Sequence, residues 1–414
     1  MTQNKSDNEV LSDPFLAPYS NWEWNCCIGQ QADGNSYADG YIEAALELAN
    51  AVLEERQHCK RDTLIFPILF NARHAVEIRL KLIDESLTSF GFIAAKHKKN
   101  LHHDIARDYF RLRDANVADR SFRELLSRLQ PFVESLARLD ARGQEFRYDK
   151  TIDGKRSLSK HSVINLVVVR SSLQELSGVL KELQYRTSDL CQEKTTDICT
   201  NRCSWNDLYE IAQTLPPRAV WSKQQLSQPR CEAMTHFALS KTQWVEALNK
   251  IQESRVMRRF LGLETPLKHI SDENAALVVA QARRLRKEFN QLNNRGESKP
   301  RTDSKLRFER LSPLPKEYYD VEFEICSHVA GSLAGNEWID AEVIFAMARA
   351  EFYDMYEADR YDWHLCHANE AAVFDTYVKR VTHFLGKERF CDDFLRGISM
   401  LGRPNLAERL RAAS

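Results

Sequence analysis

The apolar positions of this chain fall into helical periods separated by polar stretches. Residues 1–35 carry no sustained period and read as a leader with little regular structure. From Tyr37 the pattern turns helical. Tyr41, Ala44, Leu46, Leu48 and Val52 supply apolar contacts near a 3.6-residue period through ADGYIEAALELANAVLEER. A second helix is expected in LIFPILFNARHAVEIRLKLIDESL, with Leu69, Ala72, Val76, Leu80 and Ile83 as its core stripe. Pro67 sits close to the expected start, where a missing N–H costs little. Further helices are expected over 104–116, 121–139 and 162–185, so 36–187 reads as a helical bundle.

Beyond it, RTSDLCQEKTTDICTNRC is polar and reads as a linker, 188–203. Ser204 with Asp207 then forms a capping box that opens a new helix. LPPR breaks the pattern at Pro216 and Pro217. RCEAMTHFALSKTQWVEALNKIQ reads as a helix, a short turn at 238–240 with Ser240 as N-cap, and a second helix carrying Trp244, Leu248 and Ile251. A long helix capped by Ser271 completes a small helical domain, 204–292. Three prolines, many charges and no apolar period mark 293–315 as another linker. The last stretch, 316–414, is helical again through WIDAEVIFAMARAEFYDMY and AAVFDTYVKRVTHFLG. No alternating strand pattern and no internal repeat stands out. The expected fold is all-α and multi-domain: an N-terminal helix bundle followed by two smaller helical domains.

Composition narrows the function classes. A chain of 414 residues exceeds one ordinary core, which supports several domains. A formal net charge of -1 leaves no global basic field, so any nucleic-acid binding must come from a local patch. The ten scattered cysteines read as reduced thiols. The polar N-terminus has no apolar core of a signal peptide, and the longest apolar runs fall far short of a bilayer span. A cytoplasmic protein without membrane contact is expected. Neither GxxxxGK[ST] nor GxGxxG occurs, which argues against P-loop nucleotide hydrolysis. No cofactor is expected.

Several clusters could carry chemistry. In FPILFNARHAVEIRLKLIDE, His74, Glu77 and Lys81 lie on one helical face, and Arg73–Glu77 and Glu77–Lys81 are i,i+4 pairs. On the residues alone this is a helix rim laced with ion pairs. In GKRSLSKHSVINL, Arg156 and His161 stand five positions apart. Five residues of helix turn about 500°, so the two would share a site only if Arg156 lies in the lead-in loop. Otherwise this is a polar loop whose Ser159 or Ser162 caps the helix. In AAKHKKNLHHD, Lys96, His97, Lys98, Lys99, His102 and His103 form a positive patch suited to phosphates, or a solvated inter-helix loop. No aromatic residue interrupts it, so base stacking is not indicated. Cys191, Cys199 and Cys203 lack CxxC-type spacing, and Cys26-Cys27 is a poor chelate. His364, Cys366 and His367 lack further ligands at fixed spacing, so no metal site is expected. The 230–252 helix-turn-helix-like segment presents a mixed face (Lys241, Gln243, Glu246, Asn249, Lys250), with Arg255, Arg258 and Arg259 nearby.

Three stretches in order, FPILFNARHAVEIRLK, LHHDI and FRYDKTIDG, resemble the HEPN family (higher eukaryotes and prokaryotes nucleotide-binding domain). The resemblance covers roughly 37–185. It implies an α-helical bundle, and many members are metal-independent ribonucleases of bacterial toxin, phage-defence and RNA-processing systems. Ribonuclease members carry an Arg, a polar residue, a few variable residues and a His near the start of a late helix. Arg156 and His161 match that spacing, although Ser157 stands where Asn, Asp or His is usual.

The implied chemistry has His161, whose unperturbed pKa is about 6.5, moving protons while Arg156 holds the phosphate. Lys96, Lys98, Lys99, His102, His103, Arg147 and Lys155 are the candidate RNA contacts, with Arg73, His74 and Glu77 in support. RNA, a second copy of the chain in a homodimer and a protein partner of a defence system are the implied partners. The alternative is a non-catalytic nucleic-acid- or protein-binding module, with the 230–260 segment as one route to regulation.

Overall fold

A computed structural model describes residues 22–95, 103–151, 153–159, 163–295, 316–349, 354–369 and 374–413. The protein is all-α: among the described residues there are sixteen α-helices, and the one β-type pairing is an isolated bridge between Lys150 and Arg156. No helix among them is long and apolar enough to cross a membrane. The chain divides into two compact units, 1–117 with 121–188, and 118–120 with 189–414.

The N-terminal unit is built on α1 (Gly34–Glu54) and α2 (Arg61–Ser89), which pack along each other. Ala38, Ile42, Ala45, Ala49 and Val52 of α1 are buried, and the small alanines allow close approach. Asp33 caps α1 by accepting from the Ser36 N–H at 2.8 Å, so the helix starts ahead of the expected Tyr37. α2 also starts early, which leaves Pro67 inside the helix. An interior proline costs about 3 kcal/mol, and the extensive burial along α2, from Ile68 to Leu87, offsets it.

Then follow α3 (Ile105–Asp114), α4 (Arg120–Leu139) and α5 (Leu166–Lys194). α5 begins later than expected because Asn165 caps it, its side chain accepting from the Val167 N–H at 2.9 Å. It also runs into the stretch read as a linker. Thr187, Leu190, Cys191 and Glu193 are buried there, since Leu183, Thr187, Leu190 and Cys191 extend the helical period.

The C-terminal unit contains α6 (Trp205–Thr214), α7 (Ser227–His236), α8 (Lys241–Glu253), α9 (Arg255–Arg258), α10 (Asp272–Arg295), α11 (Lys316–Ser332), α12 (Gly335–Met347), α13 (Tyr356–Asn369), α14 (Phe374–Leu385), α15 (Phe390–Met400) and α16 (Pro404–Ala412). The capping box expected at Ser204 and Asp207 is present, and so is the Ser240 N-cap of α8. One hydrophobic core runs from Ile198 to Leu410 and draws on both sides of the expected 293–315 linker, of which 293–295 belong to α10 and 296–315 lie outside the described residues. α12 is buried on nearly every side, from Trp338 to Met347, and forms the axis of this core. α15 crosses it where Gly397 presents no side chain: a Cβ there would lie 1.8 Å from the Ile344 carbonyl oxygen.

Candidate functional site

The conspicuous cluster of the N-terminal unit centres on α2. Arg73 and Glu77 are not on a rim. They are 2% and 3% exposed: Arg73 reaches the backbone of the loop that starts at Asp140, and Glu77 is enclosed by Arg73, Lys81 and His103. Arg73 Nε donates to the Asp140 carbonyl at 2.7 Å, Nη1 donates to Glu77 Oε2 at 3.0 Å, and Nη2 reaches the His103 carbonyl. Glu77 Oε1 also meets Lys81 Nζ at 2.6 Å and His103 Nδ1 at 2.7 Å. Burial pushes the Glu77 carboxyl up, but the bonds from Lys81 and His103 outweigh it and hold it at about 2. His74 lies between Tyr41 (ring centroids 4.5 Å apart, edge-on) and Phe70 (5.6 Å, stacked). Burial holds its imidazole below the ordinary value and so favours the neutral form. These three residues organise the fold around them.

The cluster anchors the loop that carries Arg156. Asp140 Oδ1 accepts from the Gln144 N–H at 2.7 Å and the Glu145 N–H at 3.1 Å. Glu145 Oε2 in turn accepts from the Leu158 N–H at 2.8 Å. The Ser157 N–H donates to Asp149 O, and the Thr151 N–H to Lys155 O. Arg73, Asp140, Glu145 and Leu158 thus form a relay from the core of α2 to the neighbours of Arg156. Gly143 makes room for it: its φ is +71°, and a Cβ would stand 2.8 Å from Arg73 Nη1. Arg147 leans over the Phe70 ring at 5.7 Å and the Tyr148 ring at 5.5 Å.

Arg156 lies in the lead-in loop, ahead of α5, and lines a cleft of about 980 Å³. The turn between α1 and α2 and the first residue of α2 line it too, with Arg56, His58 and Arg61. Asp62, 3.5 Å from Arg61, is the one carboxylate among the described lining residues, so the cleft keeps a positive excess. Phe66, Val163, Ile164 and Val167 supply an exposed apolar margin. His161 lies outside the described residues, as do Lys96, His97, Lys98, Lys99 and His102. Of that patch His103 is described, and its ring is tied to Glu77. Lys155 is exposed beside Arg156.

The sequence reading missed Arg56, His58 and Arg61. Their signal is the basic, polar run EERQHCKRD between two apolar helices, but nothing in it points to a residue a hundred positions later.

Other candidates carry less. All ten cysteines are free. Burial pushes the Cys191 thiol up to about 11, so it stays protonated at neutral pH. Among the described residues no group of three or more His, Cys, Asp or Glu is placed to hold a metal. His364 directs Nδ1 to Glu342 Oε2 at 2.9 Å. In the helix-turn-helix-like segment, Trp244, Leu248 and Ile251 face the core. Arg255 is held internally, by Glu357 at 2.8 Å and the Leu401 carbonyl at 3.0 Å, and Arg259 by the Tyr209 hydroxyl at 2.9 Å. Those guanidinium groups serve the core rather than a phosphate backbone.

No protein-family model, curated protein or solved structure matches the chain.

Proposed function

We propose that the N-terminal unit acts on RNA as a HEPN-like, metal-independent endoribonuclease of the toxin or phage-defence kind, with Arg156 and His161 as its reacting pair. The observation that carries the reading is the company of Arg156: a cleft lined also by Arg56, Arg61 and His58, with one carboxylate among the described lining residues. Such a cleft suits a polyanion, and three guanidinium groups suit phosphate oxygens. In the reaction, a base takes the proton of the 2′-hydroxyl, whose oxygen attacks phosphorus. The bond to the 5′-oxygen breaks, and an acid protonates that leaving oxygen. The products are a 2′,3′-cyclic phosphate and a 5′-hydroxyl. Arg156 stabilises the crowded charge of the transition state. The exposed apolar margin of Phe66, Val163, Ile164 and Val167 supports a homodimer that brings two such clefts together.

The test is total RNA incubated with the full chain in EDTA, wild type beside His161→Ala and Arg156→Ala. Cleavage by the wild type alone is expected. Intact RNA in every lane, with RNA binding that weakens in Arg156→Ala, would assign the cleft to binding without cleavage. Neither cleavage nor binding would refute the reading.

A further inference from the structure

Phe66, on the second turn of α2, is 43% exposed and lines the cleft together with Arg56, Arg61 and Arg156. It is the one phenyl ring among the described lining residues, and it meets no other ring and no cation among them. Four residues further along α2 the ring is taken: Phe70 stacks on His74 at 5.6 Å and carries the Arg147 guanidinium at 5.7 Å. A single exposed phenyl is ordinary on a protein surface. Phe66 differs by its company, a free ring in a cleft of positive charge.

Two of those charges are also free. The side chains of Arg56 and Arg156 are exposed and meet no carboxylate among the described residues. The backbone around them is held in a costly shape. Arg56 has φ +51° and Leu158 has φ +52°, both in the left-handed region that a side chain disfavours. Both residues line this cleft. Bonds from the Gln57 N–H to Val52 O at 2.9 Å and from the Leu158 N–H to Glu145 Oε2 at 2.8 Å fix the two turns. Strained residues persist where their surroundings over-determine them, and they gather at sites that hold a ligand.

We propose that Phe66 is a base-stacking subsite of the cleft: an unpaired base lies on its ring while Arg56 and Arg156 hold phosphates of the same strand. The inference rests on the RNA reading of the cleft and adds the residue that takes the base. A phenyl face accepts any base, because every base has a π-face, so the subsite adds affinity without choosing sequence. Guanidinium groups suit the phosphate oxygens. Val163, Ile164 and Val167, from α5 and the residues before it, remain as the apolar margin for a second copy.

Fluorescence anisotropy on the full chain tests it, in a His161→Ala background that keeps strands intact. The probes are labelled oligouridylate, oligoadenylate and an abasic ribose-phosphate strand of the same length. Phe66→Ala should weaken both oligonucleotides about tenfold and leave the abasic strand unchanged, and Phe66→Trp should restore them. Arg56→Gln should weaken all three alike and flatten the slope of log affinity against log salt by about 0.7. Three results would overturn the subsite: unchanged affinity in Phe66→Ala; an equal loss for intact and abasic strands; or a sedimentation mass that halves in Phe66→Ala, which would make the ring a contact between copies. Any of these beside RNA cleavage by the wild type would leave the nuclease reading standing. The expected Phe66 pattern without cleavage by the wild type would keep the subsite and refute the nuclease. No binding of any strand would refute both.

Discussion

Arg73 Nε donates to the carbonyl oxygen of Asp140 at 2.7 Å, joining the middle of α2 to a loop 67 residues further along the chain. The same guanidinium holds Glu77 and the His103 carbonyl, so one buried side chain ties three separate segments together. Removing one member of a buried ionic network leaves the others without compensation, at about 3–5 kcal/mol. Arg73→Ala should therefore lower the urea midpoint of the chain by a corresponding amount. Arg73→Lys should recover only part of it, because an ammonium cannot reach all of these acceptors at once. A midpoint unchanged in Arg73→Ala would show that the cluster contributes no stability.

Gly143→Ala tests the same junction from the loop side. The residue has φ +71°, and its new Cβ would stand 2.8 Å from Arg73 Nη1. That side chain is pinned by its acceptors and cannot swing aside cheaply. The expected loss is about 1–3 kcal/mol, read by thermal denaturation.

Glu145 carries the relay onward by accepting the Leu158 N–H at 2.8 Å. Glu145→Ala should speed hydrogen exchange at Leu158 while leaving the amides of α1 and α2 protected. If the proposed RNA reading holds, RNA affinity should fall in parallel, because Arg156 loses its fixed neighbour. Exchange at Leu158 that matches the wild type would remove Glu145 from any positioning role.

Acid should destabilise the N-terminal unit in two steps. Burial holds His74 below its ordinary 6.5, so the unfolded chain takes that proton first and stability falls as pH drops below about 6.5. Glu77, held at about 2 against an ordinary 4.5, stabilises the fold above 4.5 and loses that contribution as pH falls toward 2. In both cases the unfolded state binds more protons, so both effects have the same sign. Melting temperature against pH should flatten just below 6.5 in His74→Gln, and below 4.5 in Glu77→Gln.

In the C-terminal unit, Gly397→Ala should be among the most damaging small substitutions. Its Cβ would fall 1.8 Å from the Ile344 carbonyl oxygen, which belongs to the backbone of the buried α12. The helices must separate, at a cost of about 3 kcal/mol or more. A variant that melts with the wild type would mean that α15 can shift without disturbing the core.

Local signals were readable without the fold. The core stripe of α2, the capping box at Ser204 and Asp207 and the N-cap at Ser240 are all encoded within a few residues. So is the all-α class. In α1 the helix was legible but its buried face was not: of the expected Tyr41, Ala44, Leu46, Leu48 and Val52 only Val52 is buried, and the face that packs is Ala38, Ile42, Ala45, Ala49 and Val52. The ends of α5 were less legible, because Asn165 rather than an earlier serine caps it and its period continues to Cys191 through a polar surround.

What only the tertiary structure decided is which distant residues meet. Sequence placed Arg73 and Glu77 correctly as an i,i+4 pair, yet their burial depends on distant segments, Asp140 against Arg73 and His103 against Glu77. Sequence also placed Arg156 ahead of a helix, but its cleft is completed by Arg56, His58 and Arg61 from the α1–α2 turn and the start of α2. Helical period and capping are short-range properties of the chain, whereas burial and the convergence of charges arise when separate helices pack, and no local pattern encodes them.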